Sequence, residues 1–115
     1  MGKKMPSKKT QKLFRDAVAF VEKLPPKPPQ SNATRLAFYS LYKQATIGPL
    51  ASTGVAKPSL LSGFVKRAKW QAWNDLGRMT AKKAMKKYIA ELAALSPEWR
   101  ERVQRAKEAK LRSRL

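Results

Sequence analysis

Leu13, Phe14, Ala17, Val18, Val21 and Leu24 recur at spacings of three and four, which predicts a helix from about Gln11 to Lys23 with one apolar face. Pro25-Pro26-Lys27-Pro28-Pro29 stops it, because successive prolines remove backbone donors and bar the α region before each ring. Ser31 or Asn32 can cap a second helix that runs to about Ile47, where Gly48-Pro49 ends it. Residues 48–62, GPLASTGVAKPSLLS, are rich in small residues, Gly and Pro and read as a long loop. A third helix is predicted from about Gly63 to Leu76, with Phe64, Ala68, Ala72, Trp73 and Leu76 inward and Gly77 as its C-cap. Thr80 caps a fourth, whose stripe is Ala84, Met85, Tyr88, Ile89, Leu92 and Leu95. Ser96-Pro97-Glu98 has the Ser N-cap, first-position Pro and early acid of a fresh start. That last helix runs to about Leu111, with Trp99, Val103 and Ala106 as a modest apolar edge. No segment alternates with the period of a strand, and there is no internal repeat. The predicted class is all-α, four helices plus a basic fifth.

Composition narrows the chemistry. At 115 residues, with 43% hydrophobic residues and three Trp, the chain is one domain with enough apolar material to fold unaided. It has no Cys and no His, which excludes disulfides, the usual zinc sites and the common nucleophile–base pairs. The carboxylates are Asp16, Glu22, Asp75, Glu91, Glu98, Glu101 and Glu108; three sit in the charged tail and nothing clusters the others. A binding protein fits this inventory better than a hydrolase or transferase.

The formal net charge of +19 calls for a polyanionic partner: nucleic acid, anionic lipid or a phosphorylated ligand. The excess is spread. Residues 1–12 carry five Lys and no acid, 13–95 carry fourteen basic and four acidic groups, and 96–115 carry seven and three. Such a spread favours a broad electrostatic role over one local patch. Residues 1–12 read as loosely ordered. No run approaches the ~18 apolar residues of a membrane span. The start, MGKKMPSKKTQK, lacks the apolar core of a secretory signal, and Pro6 breaks the myristoylation pattern. Its basic, acid-free character hints at a mitochondrial leader, although Lys stands where Arg is usual. A cytoplasmic location is the expectation, with the mitochondrion as the alternative.

The segment from Phe38 to Gly48 carries the most information. Tyr39 and Lys43 are four apart and share a helix face, with Tyr42 beside them. Two phenols and an ammonium suit a ligand that joins an aromatic base to a phosphate. An ordinary amphipathic helix that buries one Tyr and exposes a Lys has the same spacing. Lys66, Arg67 and Lys69 precede Trp70 and Trp73; Trp73 falls on the apolar stripe and reads as core, while Trp70 lies to one side. Lys69 either projects toward a phosphate or belongs to a solvated helix start. Tyr88 adds a further aromatic on the fourth helix.

Three blocks then stand in one order: Tyr39-Ser40-Leu41-Tyr42-Lys43-Gln44-Ala45-Thr46-Ile47-Gly48, Arg67-Ala68-Lys69-Trp70-Gln71-Ala72-Trp73-Asn74, and Ala84-Met85-Lys86-Lys87-Tyr88-Ile89. They resemble the acyl-CoA-binding protein family, whose patterns are YxxYKQATxG, KAKWxAWN and AMKxYI, and the resemblance covers roughly residues 13–95. Residues 1–12 and 96–115 are basic segments on either side of that domain. The resemblance implies an antiparallel four-helix bundle in an up-down-down-up arrangement. It further implies a non-catalytic, monomeric carrier of medium- and long-chain fatty acyl-CoA esters, without cofactor or metal. Carried across by position, Tyr39, Lys43 and Lys69 gather around the ribose 3′-phosphate, Tyr42 faces the adenine and Tyr88 closes on the CoA portion. An anionic membrane surface is the further partner expected from the charge, ahead of nucleic acid. A basic structural subunit of a ribonucleoprotein or membrane-associated complex, keeping the fold without the ligand, is the alternative.

The chain departs from the family in three places. The segment before the third helix is longer, with Lys57-Pro58-Ser59-Leu60-Leu61-Ser62-Gly63-Phe64 in place of the usual Pro-Gly-Met-Leu-Asp-Phe. The proline stretch is expanded, and Glu22 stands where the family often has Lys. The altered loops border the acyl groove, so they bear on chain-length preference rather than on the nucleotide anchors.

Overall fold

A computed structural model describes residues 5–24 and 31–115. The proline stretch and the first four residues lie outside them. Five helices follow in order: α1 (Lys8–Glu22), α2 (Asn32–Thr46), α3 (Phe64–Asn74), α4 (Ala81–Leu95) and α5 (Trp99–Arg112). Among the described residues there is no strand, so the all-α expectation holds.

Caps account for where the helices begin. The Ser31 hydroxyl accepts from Thr34 N at 3.1 Å and the Thr80 hydroxyl from Lys83 N at 3.2 Å, starting α2 and α4 where the sequence places them. At α1 the expectation needs correction. Ser7 accepts from Thr10 N at 3.1 Å, so the helix starts at Lys8 rather than Gln11. Part of the basic segment taken as loose is thus the first turn of α1. At α5 the correction runs the other way. Ser96 makes no cap; Ser96-Pro97-Glu98 forms a turn closed by Trp99 N donating to Ser96 O at 3.0 Å, and the helix begins at Trp99. The α3 helix ends at Asn74, two residues short of the prediction, and Gly77 adopts φ 59° in the turn beyond it.

The α4 helix packs across α1 and α2, α3 packs on α2, and α5 on α1. The shared core is Phe14 and Ala17 from α1, Phe38, Leu41 and Ala45 from α2, Ala84, Tyr88 and Leu92 from α4, and Trp99 from α5. Trp99 is only 1% exposed and its ring centroid lies 6.5 Å from that of Phe20, so the start of α5 belongs to the core. Val103 is half-buried, whereas Ala106 and everything beyond it is exposed. One cross-helix contact, Lys107 Nζ to Asp16 Oδ2 at 3.0 Å, ties the middle of α5 to α1. The fifth helix is anchored as far as Lys107 and bare afterwards.

Phe64 departs most from the pattern. It lies on the α3 stripe but is 86% exposed, and Val65 and Lys66 beside it in the first turn of α3 are exposed as well. The 48–62 loop is more structured than its composition implies, with 3-10 turns at Leu50–Thr53 and Leu60–Ser62 and with Leu50 buried.

Gln44 is fully buried, and its Nε2 donates to Gly77 O at 3.1 Å and Met79 O at 2.8 Å. It pins α2 to the α3–α4 turn. Replacing Gln44 with Leu removes the donor from both carbonyls and should cost about 1–3 kcal/mol of unfolding free energy in urea denaturation.

Candidate acyl-CoA-binding site

Two groups of candidate residues form on opposite flanks of α2. On the flank toward α3, Lys43 Nζ lies 5.8 Å and Lys69 Nζ 5.2 Å from the centroid of the Tyr39 ring. Lys43 is also 5.9 Å from the Trp73 ring. The register between the helices has a clear cause. Trp73 is buried, and its indole N–H donates to Gly48 O at 2.9 Å, tying α3 to the end of α2. Lys69, one turn earlier on α3, is thereby carried over Tyr39. Among the described residues no carboxylate pairs with Lys43 or Lys69. Two cations sharing one phenol ring without a counter-charge form a ready anion site.

On the other flank, Tyr42 is 40% exposed and its ring runs nearly parallel to Phe14, with centroids 6.2 Å apart and planes at 23°. It lines a shallow groove of about 320 Å³ with Phe14, Arg15, Val18, Glu22 and Thr46. Tyr88 sits beneath, 3% exposed, its ring edge-on to Phe14 at 5.2 Å and tilted against Phe38 at 5.0 Å. Burial, with smaller contributions from Glu22 and Tyr42, pushes the Tyr88 phenol well above its ordinary value of 10.0.

The sequence therefore names five residues that the fold sorts into two sets: Tyr39, Lys43 and Lys69 together, and Tyr42 above Tyr88. Arg15 and Glu22 at the groove wall were not among the named site residues, although Arg15, Ala19 and Glu22 share a face at helical spacing. Trp70 is half-buried as its side position implies, and its N–H donates to Val55 O at 3.3 Å. A larger groove of about 610 Å³ lies between α1 and α5, away from both sets, with Phe20, Leu24 and Val103 in its lining.

The raised Tyr88 value has a consequence for alkaline stability. The folded state favours the neutral phenol, so the stabilisation is complete below the unfolded value near 10.0 and is lost as pH rises from there toward the folded value. Phenolate absorbance from Tyr88, isolated by difference against Tyr88→Phe, should appear together with unfolding at high pH. The unfolding free energy of Tyr88→Phe should fall less steeply over the same range.

Comparison with known proteins agrees with this architecture. The sequence profile of the family described as "Acyl CoA binding protein" matches residues 11–92. Human acyl-CoA-binding domain-containing protein 4 is 40% identical over 92 residues, which is 78% of this chain and 33% of that protein. Rat enoyl-CoA delta isomerase 2 is 39% identical over 87 residues, 76% of this chain and 21% of that protein. The chain thus spans a third or less of these two relatives. The crystal structure of Oryza sativa acyl-CoA-binding protein 2 superposes with a TM-score of 0.68 at 31% identity, covering 77% of this chain and 92% of that one. On the profile match, the shared fold and the order of the three blocks, the chain belongs to the acyl-CoA-binding protein family.

Proposed function

We propose that the protein is a non-catalytic carrier of medium- and long-chain fatty acyl-CoA, in which Tyr39, Lys43 and Lys69 hold the ribose 3′-phosphate. The observation that carries this reading is the pair of lysines, unneutralised among the described residues, over one Tyr ring. Tyr42 stacks on the adenine in this reading, and the Tyr88 hydroxyl closes on the CoA portion from below. Apolar side chains shelter the acyl chain, each buried methylene contributing on the order of 0.8 kcal/mol. The carrier works as a cytoplasmic monomer, and the rest of its positive charge meets anionic membranes. It performs no chemistry on the thioester, and a hydrolysis assay should detect none.

Titration with palmitoyl-CoA and free CoA at two salt concentrations tests the proposal. Palmitoyl-CoA should bind far more tightly than free CoA, with both weakened by salt. Micromolar or weaker affinity for palmitoyl-CoA would sink the carrier reading. Tight RNA binding with a steep salt slope would favour a structural subunit of a ribonucleoprotein instead.

A further inference from the structure

Four large apolar side chains stand out from the surface where the 48–62 loop enters α3. Leu60, Leu61, Phe64 and Val65 are 81%, 98%, 86% and 64% exposed. Their base is hydrogen-bonded. Ser62 N donates to Ser59 O at 3.0 Å and Gly63 N to Leu60 O at 3.4 Å, closing the 3-10 turn. Gly63 takes φ 100°, a conformation that favours glycine, and redirects the chain into α3. The Arg67 guanidinium reaches back to Pro58 O at 3.5 Å. The result is a protruding apolar cluster with the cations Lys57, Lys66 and Arg67 close to it in sequence. No Asp or Glu occurs anywhere between Glu22 and Asp75.

We propose that this knob docks the protein on anionic lipid bilayers, inserting Leu60, Leu61, Phe64 and Val65 below the headgroups while the neighbouring cations meet the lipid phosphates and carboxylates. Exposed apolar patches of this kind mark interaction surfaces. Charge and shape select the partner. A second copy of the chain would bring +19 against +19, and a nucleic acid backbone offers Leu61 and Phe64 nothing apolar to enter. A bilayer needs no matching cavity, accepts protruding side chains of any shape and carries the complementary charge. Lys and Arg stems lie along apolar surface and keep their heads at the interface. Phe64 and Lys69 are five residues apart on α3, a rise of about 7.5 Å, so docking leaves the Tyr39–Lys43–Lys69 cluster near the membrane surface. Docking rests on the membrane contact proposed above and gives it a surface; because it needs no acyl-CoA, it stands or falls apart from the ligand site.

The test uses the full chain without acyl-CoA and vesicles of phosphatidylcholine with or without phosphatidylserine. Sedimentation should carry the protein down with the anionic vesicles and leave most of it free of the neutral ones. The double variant Leu61→Asp, Phe64→Asp should bind the anionic vesicles at least roughly a hundredfold more weakly. Its thermal midpoint and its affinity for free CoA should not change, because both side chains are exposed. The chain has no Cys, so Ser62→Cys offers one thiol for a nitroxide label. On vesicle binding that label should become accessible to dissolved oxygen and shielded from a water-soluble relaxer. Equal vesicle binding by variant and parent would overturn the proposal, as would no binding by the parent. So would a dimer in solution that the variant disperses. Unchanged vesicle binding with a selective loss of palmitoyl-CoA affinity would assign the knob to the ligand's acyl chain and overturn it too.

Discussion

Truncating Trp99 to Ala should lower the unfolding free energy by about 3–5 kcal/mol, the cost of a cavity where a large aromatic was fully buried. Trp99 is 1% exposed and belongs to the same cluster as Phe14, Tyr88 and Leu92. A typical domain has only about 5–15 kcal/mol in hand, so this single change should bring the protein near its folding limit. Leu111, 65% exposed on the same helix, gives the contrast: its replacement by Ala should change stability by less than about 0.5 kcal/mol. Urea denaturation of the two variants reads both values. A Trp99→Ala cost below about 1 kcal/mol would mean that α5 is not part of the packed bundle.

The second large effect concerns the ligand. Lys43→Ala and Lys69→Ala should each weaken palmitoyl-CoA binding by about 1.5–3 kcal/mol, the range for a hydrogen bond to a charged group, or roughly ten- to a hundredfold. Stability should change by no more than about 1 kcal/mol, the scale of a cation–π contact near the surface. The two ammonium groups approach the same Tyr39 ring without a carboxylate partner among the described residues, so neither change breaks an ion pair there. Loss of affinity without loss of stability separates a ligand site from a structural contact. Isothermal titration beside thermal unfolding measures both, and a parallel fall in the two would argue against the assigned role.

Legibility in the sequence followed what each signal physically reports. The stripes of α1 and α4, and the caps of α2 and α4 at Ser31 and Thr80, were readable because periodic burial and a capping hydroxyl are local facts. The start of α1 was not, since Ser7 and the lysines after it carry no apolar period. Ser96-Pro97-Glu98 has the letters of a helix start yet folds as a turn, and the burial of Trp99 one residue later decides the geometry there. Phe64 shows the limit of periodicity: it marks a face, not whether a neighbour covers that face. In the site, the Tyr39–Lys43 pairing follows from helical spacing alone. Joining Lys69 to it depends on the bond from Trp73 to Gly48, a tertiary contact that no spacing encodes. The separation of Tyr42 and Tyr88 from the lysine cluster is likewise set by packing on Phe14. Gln44 is polar on a buried face, and its partners, the carbonyls of Gly77 and Met79, lie 33 and 35 residues away in sequence, beyond any local signal.

In the proposed site, Lys43 and Lys69 over Tyr39 hold the ribose 3′-phosphate of an acyl-CoA. The most direct measurement is a titration of the parent protein and of Lys43→Ala with palmitoyl-CoA and with its 3′-dephospho analogue. Removing the phosphate should weaken binding to the parent by about 1.5–3 kcal/mol or more, and the penalty should largely disappear in the variant. Equal affinity of the parent for both ligands, or an undiminished phosphate penalty in Lys43→Ala, would contradict it.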